Sequence, residues 1–231
     1  AGKNVIHYSM ELSETHVGNR YDSRITGIPT KELRRRMVEA ENELARFNGG
    51  QLMIKEYPPK VATINTIKFH VGRLLSNGFD PDLIIIDYGD LMKSRRGYEQ
   101  KRFELESVFE DLRAMSMELK LPIWTATQSN RDGFNDEIIT IDKVGEAINK
   151  AHVVDFFGTF SQRKFHVGKN RMGSANINFN IDMKPECAHI ELNDDQSSGF
   201  STSDKLNSLL GGGSDSRSKI GNLYKSYKDG E

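Results

Sequence analysis

The sequence predicts an α/β fold with a mostly parallel, twisted sheet flanked by helices, and three observations carry that expectation. Short apolar runs bounded by polar turns alternate with amphipathic segments. The run from Leu83 to Asp87, LIIID, is apolar without alternation, as a strand covered on both faces would be, so it should lie centrally in the sheet. The intervening segments carry apolar residues three and four apart, the spacing of one helix face.

Strands are expected at NVIHYS from Asn4, QLMIKEY from Gln51, LIIID, IWTAT from Ile123 and VDFFGTF near Val154. A helix should open at Thr30 and end near Phe47, closed by Gly49-Gly50, with Leu33, Met37, Leu44 and Phe47 towards the core. Ile64, Ile67, Val71, Leu74 and Leu75 predict a second helix before the Asn77-Gly78 stop. Phe103, Leu105, Val108, Leu112, Met115 and Leu119 predict a third, and Trp124 should be core. Later, FHVGKNRMGSANINFNIDM and CAHIEL read as strands of an appended β-hairpin turning at Met172-Gly173-Ser174. The expected organisation is one domain over residues 1–192 and a flexible tail over 193–231, rich in Ser, Gly, Asp and Lys, in which Leu206, Leu209 and Leu210 could form one docking turn.

Composition limits the function classes. At 231 residues with 36% hydrophobic and 28% charged, the chain can bury one sizeable core. A net charge of -1 from 32 basic and 33 acidic residues excludes a wholly basic polyanion coat, so any nucleic-acid contact must come from local loops. A lone cysteine, Cys187, offers no internal disulfide or thiolate cluster and fits a reducing cytoplasm, and the six histidines show no zinc-ligand spacing. No stretch reads as a membrane span or signal peptide, and the start at Ala1, without Met and almost at once a strand, suggests a chain cut from a longer one.

Four short segments carry candidate chemistry. LIIIDYGDLM ends a buried strand in Asp87, at the carboxyl edge where open α/β sheets bind ligands; such a carboxylate can hold Mg2+ against a nucleotide phosphate, or simply end a strand. In YSMEL a second strand is followed at once by Glu11, which could activate a water; alternatively Glu11 and Glu14 flank a helix cap at Ser13. TATQSNR ends a third strand in Gln128, a neutral amide able to sense a terminal phosphate, or an ordinary loop residue. In GKNRMG, Lys169 and Arg171 lie two apart on an expected strand and so share a face, suited to a neighbour's phosphoryl group or to guarding a sheet edge.

The order of these segments resembles that of the DnaB-type replicative DNA helicases, the phage branch in particular, over roughly Asn4 to Leu192. The resemblance implies a RecA-like ATPase motor that uses ATP and Mg2+, with Glu11 as general base, Asp87 as the Mg2+ residue and Gln128 as the γ-phosphate sensor. Lys169 and Arg171 would then form the finger acting on an adjacent subunit's ATP. It further implies a homo-hexameric ring on single-stranded DNA, recruitment of a primase and a helicase loader, and residence in the bacterial cytoplasm or infected host cell. Two loops would grip DNA: one with Arg95, Arg96 and Lys101 beside Lys93, the other with Lys143, Gly145 and Lys150.

The pattern departs from the family at one point. The phosphate loop GxxxxGK[ST] should precede Asn4 and is not in the sequence, and Gly168-Lys169-Asn170 cannot replace it on a hairpin. The chain alone is therefore expected to bind ATP poorly or not at all and to hydrolyse none. A non-motor RecA-like ATPase, or an inactive assembly or DNA-binding module, remain open alternatives.

Overall fold

The computed structural model describes residues 2–128, 138–140, 147–161 and 163–193. These form two compact units. The first contains strands β1 (Val5–Ser9), β2 (Leu52–Glu56), β3 (Leu83–Asp87) and β4 (Ile123–Thr125). Around them lie helices α1 (Glu14–Thr26), α2 (Met37–Arg46), α3 (Ile64–Ser76), α4 (Lys101–Leu119) and α5 (Ala147–Val153). The sheet order is β2-β1-β3-β4, with every pair parallel, so LIIID is an interior strand as expected. This is the RecA-like arrangement of a parallel sheet flanked by helices.

The core explains the sequence pattern. Ile6, Tyr8, Ile84 and Ile86 point to one face and are fully buried against Ile64, Ile67 and Val71 of α3 and Val108, Leu112 and Met115 of α4. The opposite face of β3 is only half covered, with Leu83 and Ile85 partly buried, because period-two geometry sends them away from α3 and α4. Thr63 caps α3 in a reciprocal box with Thr66, and Gly78 at φ 82° carries the chain out of it. Gly50 passes so close to the Lys3 backbone that a Cβ there would lie 2.0 Å from the Lys3 carbonyl oxygen, which fixes the approach of β2 to β1.

Three expectations are corrected here. The helix expected from Thr30 begins at Met37; residues 30–36 form turns, and Arg36 is bound by both Glu32 and Glu39, bracing the turn against the helix instead of extending it. Of its expected core face only Leu33 is buried, in a small cluster with Ile28 and Ala40, while Met37 and Phe47 are exposed. Trp124 is 56% exposed because it pairs with Ile85 and so shares the sheet face that points away from α3 and α4. The helix cap offered as the alternative at Ser13 is present: α1 follows it, and the Ser13 hydroxyl accepts from the His16 N–H.

The second unit is built on β5 (Phe156–Phe160), β6 (Lys164–Asn170) and the first part of β7 (Ile177–Lys184), and β8 (His189–Asn193) completes the sheet order β5-β6-β7-β8. β5 was expected in the parallel sheet; it pairs antiparallel with β6, where a bulge at Phe157/Gly158 lets the Phe165 ring lie over Gly158. The expected hairpin is thus part of a four-stranded sheet. The expected tail beyond Asn193 lies outside the described residues. Cys187 is half-buried, its thiol directed at the Gly27 carbonyl. Among the described residues no helix is long and apolar enough to cross a membrane.

Two part-buried hydrogen-bonded aromatic pairs flank the sheet. His7 Nδ1 lies 2.9 Å from the Tyr21 hydroxyl and His70 Nδ1 2.9 Å from the Tyr8 hydroxyl. Burial lowers both histidines below the ordinary value near 6.5; for His7 the nearby Asp87 partly offsets this, and for His70 Lys55 and Arg73 add to it. A histidine whose folded pKa is depressed leaves the unfolded chain binding more protons, so stability is full above 6.5 and falls as pH drops through the folded value. The melting temperature should therefore decline on acidification below pH 6.5, and His7→Asn and His70→Asn should each flatten that decline. Core burial gives a second outcome: Ile67→Ala should destabilise by about 2–5 kcal/mol in urea unfolding, whereas Leu75→Ala, at a 43% exposed position, should cost well under half of that.

Candidate active site

The three interior and edge strands end level. Ser9 pairs with Glu56 on one side and Asp87 on the other, so the tips of β1, β2 and β3 share one edge of the sheet. The chain leaving β1 is held against β3 by the Met10 N–H, which donates to the Asp87 carbonyl at 2.7 Å, and it is turned by the Leu12 N–H donating to Ser9 Oγ. This turn presents Glu11 to solvent before Ser13 starts α1. Glu14 is committed elsewhere: its N–H donates to Glu56 Oε2 at 2.8 Å, and its Oε1 accepts from the Glu56 N–H and Lys55 Nζ. Those contacts hold its carboxyl below the usual range, the Glu56 amide being the larger cause. Both sequence readings of YSMEL therefore apply, to different residues: Glu14 belongs to the cap and Glu11 does not.

Around Asp87 the groups converge. His7 Nε2 is buried, has no hydrogen-bond partner and lies 4.0 Å from Asp87 Oδ2. The Asp87–Tyr88 peptide is cis. Thr125 Oγ1 donates to the Ile86 carbonyl and accepts from the Gly89 N–H, locking the exit of β3 to β4. Gln128 Nε2 donates to the Tyr88 hydroxyl at 3.0 Å. Desolvation raises the Tyr88 hydroxyl, and the negative charges of Glu11, Asp90 and Asp87 raise it further, against the Gln128 hydrogen bond. Tyr88 is therefore within electrostatic reach of Glu11 and Asp87 and in contact with Gln128, three residues the sequence picked from separate strands. His7, Tyr21, Tyr88, Asp90 and Thr127 were not picked; the second acid of DYGD was their one visible signal.

The expected cations behave differently from one another. Arg95 forks onto Asp111, with Nε at 2.9 Å from Oδ2, while Arg96 and Lys101 are exposed. Lys143 and Gly145 lie outside the described residues. Lys150, expected to meet DNA, is 3% exposed. Its ammonium is 2.7 Å from Asp90 Oδ1, donates to Thr127 Oγ1 at 2.9 Å and lies 5.2 Å from the centre of the Phe109 ring. A buried, fully engaged ammonium cannot also grip a phosphate backbone, so Lys150 leaves the DNA-contact set. In the second unit, Lys169 lies on β6 opposite Phe157, and Arg171 starts the turn just after that strand, its guanidinium on Asp155 at 2.8 Å.

The residues fit a magnesium ion in a limited sense. No cluster of three or more His, Cys, Asp or Glu that could hold a metal occurs among the described residues. Mg2+ in nucleotide sites is held by one or two carboxylates, waters and the phosphates themselves. Asp87, at the strand tip with its side chain about a third exposed, suits that role.

A family model, DnaB-like helicase C terminal domain, matches residues 1–137. The chain is 25% identical over 170 residues to the DnaB-like replicative helicase of Enterobacteria phage T4, covering 67% of this chain and 35% of that protein. It is 28% identical over 179 residues to a probable plasmid replicative DNA helicase of Chlamydia muridarum (strain MoPn / Nigg), covering 72% of this chain and 39% of that protein. It thus spans well under half the length of these curated relatives. Among solved structures, one described as an ATPase domain superposes with a TM-score of 0.69 at 14% identity over 81% of this chain and 74% of that one. A DnaB-like replicative helicase described with its interactions with primase superposes with a TM-score of 0.67 at 15% identity over 81% of this chain and 51% of that one. At these identities the two structures speak for the fold alone. With the motifs on one sheet edge and the family model matching more than half of the chain, this chain belongs to the DnaB-like helicase C-terminal domain family.

Proposed function

We propose that the protein of which this chain is part is an ATP-driven replicative DNA helicase that translocates on single-stranded DNA as a homo-hexameric ring. One observation carries the reading: in a member of this family, Glu11 and Asp87 follow or end parallel strands whose tips share one edge of the sheet, beside Tyr88, to which Gln128 hydrogen-bonds.

Each residue has work suited to its surroundings. Glu11 is exposed at the edge and, among the described residues, takes part in no hydrogen bond, so it can accept a proton from a water. Asp87 would hold magnesium, which when bound with ATP neutralises charge on the phosphates. Gln128, already reaching across to Tyr88, can exchange that hydrogen bond for one to a terminal phosphate. Lys169 and Arg171 would act on the ATP of an adjacent copy, Arg171 giving up Asp155 to do so. Arg96 and Lys101 are proposed to meet the DNA backbone, with Arg95 contributing only if it leaves Asp111; Lys143 and Gly145 remain proposed on the resemblance alone. A primase and a loader are the proposed protein partners, the former because a similar structure is described with one.

In the full-length protein, ATP hydrolysis should be stimulated by single-stranded DNA. Glu11→Gln should lower kcat by about 100-fold or more, and Arg171→Ala by about 1000-fold. Arg171→Ala subunits mixed into wild-type protein should inhibit more than in proportion to their fraction. Silent substitutions, or a wild-type protein that hydrolyses nothing, would sink the reading. Arg96→Ala and Lys101→Ala should each weaken binding of single-stranded DNA and make it less salt-dependent, as followed by fluorescence anisotropy; an unchanged salt slope removes that residue from the contact set.

A further inference from the structure

We propose that Lys150 is a positioning residue that couples the phosphate-sensing edge of the sheet to helix α5, through its buried ion pair with Asp90 and its hydrogen bond to Thr127. The proposal rests on the motor reading above.

The cluster draws together three elements. Asp90 lies in the turn just after β3, Thr127 just beyond β4, and Lys150 on α5; Thr127 also donates to Asp90 Oδ2 at 2.7 Å, which closes the triangle. Both partners sit next to the groups that would register nucleotide. Thr127 immediately precedes Gln128, and Asp90 is two residues beyond Tyr88, the current partner of Gln128. A displacement of Gln128 towards a phosphate would therefore pull on the Thr127 hydroxyl and, through it, on the Lys150 ammonium.

The other side of the cluster is the chain that α5 continues. In the sequence, Lys143 and Gly145, proposed to meet DNA, lie between Thr127 and Lys150, and those two residues are themselves joined by a bond of 2.9 Å. The far end of α5 is fastened too, by the Arg113 guanidinium on the Val153 carbonyl. Helix α5 can then shift only together with the strand tips or by breaking discrete, directional bonds.

Packing alone does not call for this arrangement. Burying an ammonium at 3% exposure is costly, and an apolar residue of similar length would hold α5 against Phe109 at least as well. What the charged version adds is geometry: an ion pair and two hydrogen bonds that are either made or broken, in place of contacts that slide.

The test uses the full-length protein, an oligothymidylate as DNA and two variants. Lys150→Met removes the charge, and the double variant Asp90→Asn/Lys150→Met removes both charges while leaving the amide introduced by Asp90→Asn able to accept from Thr127. DNA stimulation of ATP hydrolysis, the DNA-free rate and the melting temperature are measured for each. The expected result is a DNA-free rate within threefold of wild type in Lys150→Met but stimulation reduced at least tenfold. In the double variant the melting temperature should recover while stimulation stays lost. Stimulation equal to wild type in Lys150→Met, or recovering in step with the melting temperature in the double variant, overturns the proposal and leaves the pair a purely structural one. Failure of both variants to fold has the same meaning. A wild-type protein that DNA does not stimulate overturns the motor reading itself, a result separable from loss of stimulation in the variants alone.

Discussion

The level register of β1 with β2 and β3 is the constraint on which the rest of the site depends. Parallel strands deliver every C-terminal tip to the same edge, and pairing Ser9 with both Glu56 and Asp87 sets those tips at one height. The register is held by burial, since a one-residue slip would turn Ile6, Tyr8, Ile84 and Ile86 out of the core and put His7 and Ile85 in their place. The apolar alternation that stabilises the fold thus also aligns its carboxylates, and the Met10 bond to the Asp87 carbonyl extends the ladder one step past the sheet into the turn bearing Glu11.

That sequence pattern made much of the fold legible. LIIID announced an interior strand because four consecutive apolar residues have no other comfortable place, and α3 and α4 were readable from their stripes. The failures have physical causes. Trp124 was misjudged because hydrophobicity does not say which face of a strand the helices cover. Helix α2 was started too early because the Glu32, Arg36 and Glu39 contacts that brace the turn at residues 30–36 compete with helix continuation, and composition does not reveal the winner.

The site was legible residue by residue but not as a set of relations. Glu11, Asp87 and Gln128 could be picked from strand ends, whereas Tyr88, which stands among them, looked like the filler of a motif. Lys150 shows the limit most clearly. In sequence it is one more charge in a polar loop, and nothing local distinguishes it from Lys143; its partner Asp90 is 60 residues away. Charge counting assigns such a lysine to solvent, and only the folded sheet shows that β3 and α5 bring the pair together out of water.

The acids at this edge show how the fold allots roles among like groups. Glu14 and Glu56 exchange hydrogen bonds with each other's backbone and so tie α1 to β2. Asp90 is occupied by Lys150 and Thr127. Freeing a carboxylate from the backbone amides or buried cation that it already holds would orphan those partners. Asp87 faces a buried histidine nitrogen at 4.0 Å and remains partly exposed, the condition for a ligand to a hydrated cation. Glu11 stands in solvent at the turn, close enough to raise the Tyr88 hydroxyl and bound to no group among the described residues. Among these acids, Glu11 and Asp87 are the two whose side chains are not bound to a backbone amide or a cation among the described residues, which is why the proposed chemistry is assigned to them.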